Sequence, residues 1–166
     1  MHPSVERVTA ALRARGADQA ADGVRMMDDA ARTAADAAAM LGVPTAAIAN
    51  SLVFVADGRP VLVLASGGRR VDVGKVAAAL GADRVTRADA DTVRAATGFP
   101  IGGVAPVGHA SELPTLVDTA LGSHEQVWAA AGHPHSIFPT TYGELVAITG
   151  GTPADVGEEP AGPRAR

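Results

Sequence analysis

The stretch Ile48-Ala49-Asn50-Ser51-Leu52-Val53-Phe54-Val55-Ala56, followed by Asp57-Gly58-Arg59-Pro60 and then Val61-Leu62-Val63-Leu64, decides the fold. Leu52-Val53-Phe54-Val55 is a run that favours extended backbone, and Val61 to Leu64 is apolar without alternation. Asp57-Gly58 between them supplies residue types that tolerate positive φ, so the two runs read as one hairpin. Strands that are apolar on both faces must be covered on both faces. This hairpin therefore belongs in the centre of a sheet.

Upstream, Ser4 is suited to cap a helix that turns Val5, Val8 and Leu12 to one face, and Gly16 ends it. Residues 17–31 are ambiguous, with Val24, Met26 and Met27 favouring a short strand. Thr33-Ala34-Ala35-Asp36 opens an Ala-rich helix to Leu41, closed by Gly42 and followed by Pro44. Downstream, Asp72 caps a helix carrying Val73, Val76, Ala77 and Leu80, and Gly81 ends it. Arg84 to Thr86 reads as a short strand, and Asp89 opens a helix through Val93 and Ala96 that stops at Gly98. Leu113 to Asp118, Glu125 to Ala130 and Ile137-Phe138 read as strands. Thr141-Tyr142-Gly143-Glu144 starts a last helix, ending at Gly150. Helices and strands do not alternate strictly, so the expected class is α+β. The order predicts one compact domain over residues 1–150. Residues 151–166 are rich in Pro, Gly, Glu and Arg with little to bury, and are expected to form a disordered tail.

At 166 residues, with 47% hydrophobic and 19% charged residues, the chain can bury one core. There is no cysteine, hence no disulfide or thiolate chemistry. No apolar run approaches the roughly 20 residues of a membrane span and no signal-peptide pattern is present, so a cytoplasmic protein without a membrane partner is expected. A net charge of −4 argues against broad capture of a nucleic-acid backbone, though not against reading one terminal nucleotide in a pocket. Of the 14 Lys and Arg residues, Lys75 alone is lysine.

A second stretch, Thr97-Gly98-Phe99-Pro100-Ile101-Gly102-Gly103-Val104-Ala105-Pro106-Val107-Gly108-His109, holds glycines and prolines but no Lys, Arg, Asp or Glu. Its backbone is both shaped and open to close approach, which suits either a tight connection or a ligand-facing loop. It does not fit a dinucleotide fingerprint, since Pro106 stands where the helix would start. His133-Pro134-His135 lacks a third ligand at useful spacing, so no metal and no cofactor are expected. The carboxylate pairs fall at helix starts, in turns or in the tail, where capping and solvation account for them.

Five segments in order resemble the YbaK family, that of the editing domain inserted in bacterial prolyl-tRNA synthetases and its free-standing relatives. They are Ala31-Arg32-Thr33-Ala34 with the helix to Leu41-Gly42-Val43; Ile48 to Phe54; Gly68-Arg69-Arg70-Val71-Asp72 with Lys75; Gly102-Gly103-Val104-Ala105-Pro106; and Ala131-Gly132-His133-Pro134. The resemblance spans roughly residues 5–150. It implies a mixed, curved β-sheet flanked by helices, and hydrolysis of amino acids wrongly esterified to the 3′ end of tRNA, usually tRNA(Pro). For such an activity in trans, either a partner such as a prolyl-tRNA synthetase or transient capture of the tRNA would have to supply the affinity that the acidic surface lacks. Gly102 and Asn50 fall at the family's catalytic positions. Thr33, Ser51, Gly103, Pro106 and His133 fall in its substrate-binding set, with His109 a weaker candidate. Strand alternation turns Ser51 to the face opposite Asn50. The family motif reads Lys-Ser-Leu where this chain has Asn50-Ser51-Leu52, and the lysine is thought to hold the terminal nucleotide. Asparagine donates a hydrogen bond without charge, while Arg69 or Arg70 could reach a phosphate. Two functions are therefore expected in competition: a free-standing aminoacyl-tRNA deacylase acting in trans, or a weakened binding module for an aminoacyl or nucleotide-like ligand.

Overall fold

The computed structural model describes residues 2–31 and 33–159; Arg32, in the first resembling segment, and residues 160–166 of the expected tail lie outside them. Helix α1 (Pro3–Ala14) begins with proline at its first position, and His2 caps it by accepting the Ser4 N–H at 3.1 Å. Ser4, the expected cap, lies inside the first turn because Pro3 already presets helical φ there. Residues 17–31 resolve into α2 (Asp18–Asp22) and the short β1 (Arg25–Met26). Helix α3 (Ala34–Leu41) starts where Thr33 accepts the Asp36 N–H at 3.1 Å and stops at Gly42, φ +70°.

Strands β2 (Ile48–Ala56) and β3 (Arg59–Ser66) pair antiparallel, from Ala49 opposite Ser66 to Ala56 opposite Arg59. Both turn residues have positive φ, Asp57 at 49° and Gly58 at 84°. This is the backbone twist a two-residue hairpin requires. Then follow α4 (Val73–Leu80), β4 (Val85–Arg87), α5 (Ala90–Thr97), β5 (Thr115–Asp118), β6 (Val127–Ala130), β7 (Ser136–Thr140), α6 (Tyr142–Thr149) and β8 (Thr152–Ala154).

Among the described residues the eight strands form one mixed sheet, ordered β1-β7-β6-β2-β3-β5-β8, with β4 added to the end of β2. The expected α+β class holds, and the β2–β3 hairpin is central. Its two faces bury different clusters. Leu62 and Leu64 pack with Val5, Val8 and Leu12 of α1, Leu145 of α6 and Phe99. Val61, Val63 and Phe54 pack with Val76 of α4.

The disordered tail is corrected over residues 151–159. Strand β8 adds to β5 in parallel, Leu116 opposite Thr152, and Val156 is fully buried against the α4 side. Lys75 Nζ pairs with Asp155 at 3.1 Å and Glu159 at 2.7 Å. Backbone pairing, one buried valine and these charges anchor a segment whose composition alone offers little to bury.

One topological detail positions the site. On the edge of β2 away from β3, Ile48 and Ala49 pair with β6, while Phe54 to Ala56 pair with β4. Asn50, Ser51, Leu52 and Val53 meet no described strand on that edge. The sheet has a gap there.

Candidate editing site

The gap opens onto a small cavity of about 70 Å³. Thr33, Ala34 and Ala37 of α3 and its cap form one wall, and Ile48 to Ser51 of β2 form another. Gly102 and Val104 close it from the glycine loop, and Pro134, Ser136 and Ile137 from the start of β7. Among the described residues, no ionisable side chain lines it. A second compartment of about 250 Å³ shares Thr33, Asn50, Ser51 and Gly102 and adds Arg87 and Ile101. Ile101 is 61% exposed at its mouth.

Alternation along β2 sets the directions. Ala49 and Val53 belong to the larger core and Leu52 and Phe54 to the opposite cluster, so Ser51 faces the loop side and Asn50 the α4 side. The Ser51 hydroxyl is buried without a hydrogen-bond partner among the described residues. A buried hydroxyl left unpaired costs about 1–3 kcal/mol. Ser51 lines both compartments. Ser51 faces the cavity, and Asn50 borders it from the gap while its own face continues toward Arg69, Arg70 and Arg87.

The loop divides between Gly102 and Gly103. Gly102, at φ +89°, is exposed, and a Cβ there would meet no atom within 4 Å. Its N–H has no partner among the described residues, whereas the Gly103 N–H donates to the Pro100 carbonyl at 3.0 Å. A Cβ on Gly103 would lie 3.1 Å from both His133 Cα and Pro134 Cδ. The close approach of these two turns fixes the depth of the cavity. Beyond Gly103 the chain dives inward, with Val104, Ala105 and Val107 buried.

Pro106 is buried there too and lines a separate cavity with His109, so its expected place in the substrate-binding wall is corrected. His109 Nε2 lies 2.6 Å from the Ala105 carbonyl, which can only accept, so Nε2 carries a proton and donates it. Burial pushes its pKa below the ordinary imidazole value, with Arg15 and Arg7 adding to the effect. It braces the loop from outside the site.

His133 is likewise corrected. Its backbone abuts Gly103, but its side chain does not line the cavity. Nδ1 accepts the His135 N–H at 3.0 Å, and the ring sits 4.8 Å from His2 and 5.3 Å from His135. Burial, then the His2 and His135 charges, holds its pKa low. The residue that does reach the cavity is Ser136, whose Oγ accepts the His133 N–H at 3.0 Å and donates to the His133 carbonyl at 2.7 Å. Neither Ser136 nor Arg87 was expected at the site from the sequence. A serine three residues after His133 is a turn-closing pattern that could have flagged the first. Arg87 is found only from the register that sets it opposite Phe54. Among the described residues, no group of three His, Asp or Glu side chains is arranged to hold a metal ion, and no helix is long and apolar enough to cross a membrane.

This geometry can be set against known proteins. The sequence profile of the family described as "Aminoacyl-tRNA editing domain" matches residues 28–148. The proline–tRNA ligase of Desulfovibrio desulfuricans is 37% identical over 121 residues, which is 67% of this chain and 21% of that protein. The proline–tRNA ligase of Geobacter sp. (strain M21) is 36% identical over 69% of this chain and 20% of its own length. The chain thus spans about a fifth of the length of these relatives. A crystal structure described as a candidate trans-editing enzyme for prolyl tRNA synthetase superposes with a TM-score of 0.89 at 40% identity, covering 96% of this chain and 99% of that one. With the profile matching well over half of the sequence, the chain belongs to the aminoacyl-tRNA editing domain family.

Proposed function

We propose that this protein hydrolyses the ester joining a wrongly attached amino acid to the 3′ end of tRNA, acting in trans, and that its tRNA is of the proline-accepting kind. The observation that carries this is a pair of groups without partners among the described residues, the Ser51 hydroxyl and the Gly102 N–H, at a cavity whose described lining holds no ionisable side chain. An aminoacyl ester is already activated, so catalysis needs placement of water and stabilisation of the oxyanion more than a nucleophile. The small inner cavity takes the amino-acid side chain, and its size admits a short one while rejecting an aromatic one. The larger compartment takes the terminal ribose and base. Water adds to the carbonyl carbon, and the developing oxyanion accepts the Gly102 N–H. The C–O bond to the ribose then breaks, and the water proton ends on the ribose oxygen, relayed by the neighbouring ribose hydroxyl. Asn50 and Ser51 orient the ester by hydrogen bonds. The trans mode and the proline-type tRNA are supported by the near full-length match to the structure carrying that description.

Asn50, at the position of the family lysine, favours a competing reading: a binding module with weakened hydrolysis. Deacylation of a panel of mischarged tRNAs by the native protein and by Asn50→Lys separates the two. The first reading requires turnover of at least one mischarged tRNA by the native protein, for a short side chain, with a gain of about tenfold on restoring the charge. Absence of turnover by the native protein on the whole panel, with tight binding retained, selects the second.

A further inference from the structure

A third cavity lies on the α4 side of β2, a groove of about 610 Å³ that shares Asn50 with the small cavity and Asn50, Leu52 and Arg87 with the second compartment. Arg69, Arg70 and Arg87 line it with Leu52 and Phe54, which share the Asn50 face, and with two carboxylates, Glu158 and Asp72, the latter turned to the Gly74 and Lys75 N–H groups as a helix cap, so that cations outnumber anions by three to two. The three arginines differ in their commitments. Arg69 is engaged, 3.2 Å from Asp155, 3.8 Å from Asp118 and donating to the Glu158 carbonyl at 3.3 Å. Arg70 and Arg87 are exposed and have no anionic partner among the described residues. The Arg87 Cζ lies 6.0 Å from the centre of the Phe54 ring, so the guanidinium itself stands over the groove's aromatic residue. The Glu158 N–H donates to the Arg70 carbonyl at 2.8 Å, which fixes the backbone that presents the Arg70 side chain.

Two exposed, unpaired guanidinium groups on a chain of net charge −4 form a local cationic site on an otherwise unfavourable surface for polyanions. A ligand whose terminal part occupies the pocket must leave it past Asn50, and the next groups it meets are these arginines. Guanidinium forks match phosphate oxygens in pairs, whereas asparagine contributes a neutral donor only. We propose that Arg70 and Arg87 form a phosphodiester-binding groove for the single-stranded nucleotides that lead into the pocket, supplying the charge that Asn50 does not. The assignment rests on the proposed function in that the polyanion is the 3′ end of tRNA.

The test uses the full chain and a fluorescent single-stranded RNA pentamer ending in the 3′ CCA common to tRNAs, titrated by anisotropy from low to moderate salt. The double variant Arg70→Gln/Arg87→Gln should weaken binding about tenfold and flatten the salt dependence by about 1.4 in log–log slope, two phosphate contacts at ~0.7 each. Adenosine, which has no phosphate, should bind both proteins alike, and Arg70→Lys/Arg87→Lys should restore most of the RNA affinity. Arg59→Gln/Arg94→Gln, an equal loss of charge away from the groove, should leave binding within twofold. Equal weakening by both Gln pairs, an unchanged salt slope, or no pentamer binding by the native protein overturns the groove. The outcomes separate from those for the proposed function. Arginine-dependent RNA binding without turnover of any mischarged tRNA sinks the hydrolase and keeps the groove. Turnover with a KM indifferent to the Gln pair does the reverse.

Discussion

The two faces of β2 are chemically opposite although they alternate residue by residue. The Ser51 face meets a glycine loop at close quarters, in a small cavity whose described lining carries no charge. The Asn50 face meets arginines across an open groove edged by the C-terminal segment. Close packing governs the first face and long-range charge the second. A perturbation of the first should register in stability and turnover, and one of the second in affinity and salt dependence.

The largest expected effect breaks the first face. Gly103→Val places a Cβ 3.1–3.2 Å from backbone atoms of His133, which cannot give way as a flexible side chain would. Overpacking of this kind costs about 1–3 kcal/mol, read as a lower urea midpoint at constant m. Its neighbour gives the contrast. Gly102→Ala meets open space and bears only the strain of a positive φ, about 1 kcal/mol. Hydrolysis should nonetheless fall by more than that loss of stability accounts for, since the N–H that holds the oxyanion would shift. Equal losses of stability for the two variants would remove the distinction drawn within the loop.

Ser51→Ala sharpens the comparison further. The variant deletes a buried hydroxyl that has no partner, so stability should hold or rise slightly. Deacylation should fall about tenfold, the worth of one hydrogen bond to substrate. A drop in thermal midpoint with turnover intact would place Ser51 in the scaffold instead.

How much of this could be read from the residues divides along the same line. The hairpin, the caps Thr33, Asp72, Asp89 and Thr141, and the stops Gly42, Gly81 and Gly98 were legible because each is set by its own few neighbours. The gap in the sheet was not. It exists because β6 and β4, over seventy and about thirty residues downstream, divide one edge of β2 between them. Without it, alternation could separate Asn50 from Ser51 but could not say which faced the pocket. Pro106 and His133 failed for a related reason. Both stand beside site residues in the chain, and the chain turns inward between Gly103 and Pro106 and around Ser136. The tail was misread because three residues of β8 and a single buried Val156 are too short a signal against its composition.

The smallest effect separates the faces by pH. On the loop side, His109 is held below the ordinary imidazole pKa by burial while donating to Ala105. The unfolded chain therefore binds a proton that the folded chain refuses. This stabilisation is complete above about pH 6.5 and declines as pH falls below it, until His109 protonates in the folded state. On the groove side, hydrogen bonding and charge from Lys75 hold Asp155 below the usual carboxylate range, with the Gly157 N–H and Arg69 assisting. Its contribution is present above the unfolded carboxylate pKa of about 3.9 and is lost as pH falls through the depressed folded value. Thermal midpoints measured from pH 8 to pH 3 should thus show two separate declines. His109→Gln, which keeps an N–H donor near Ala105, should reduce the upper one, leaving the part due to His133, and spare the lower; Asp155→Asn should reduce the lower one, leaving the parts due to Asp57 and Asp89, with the smaller change because its pairs are more exposed. A single decline removed by either substitution would mean that the two faces of β2 unfold as one electrostatic unit, and that the division between a packed face and a charged face does not extend to stability.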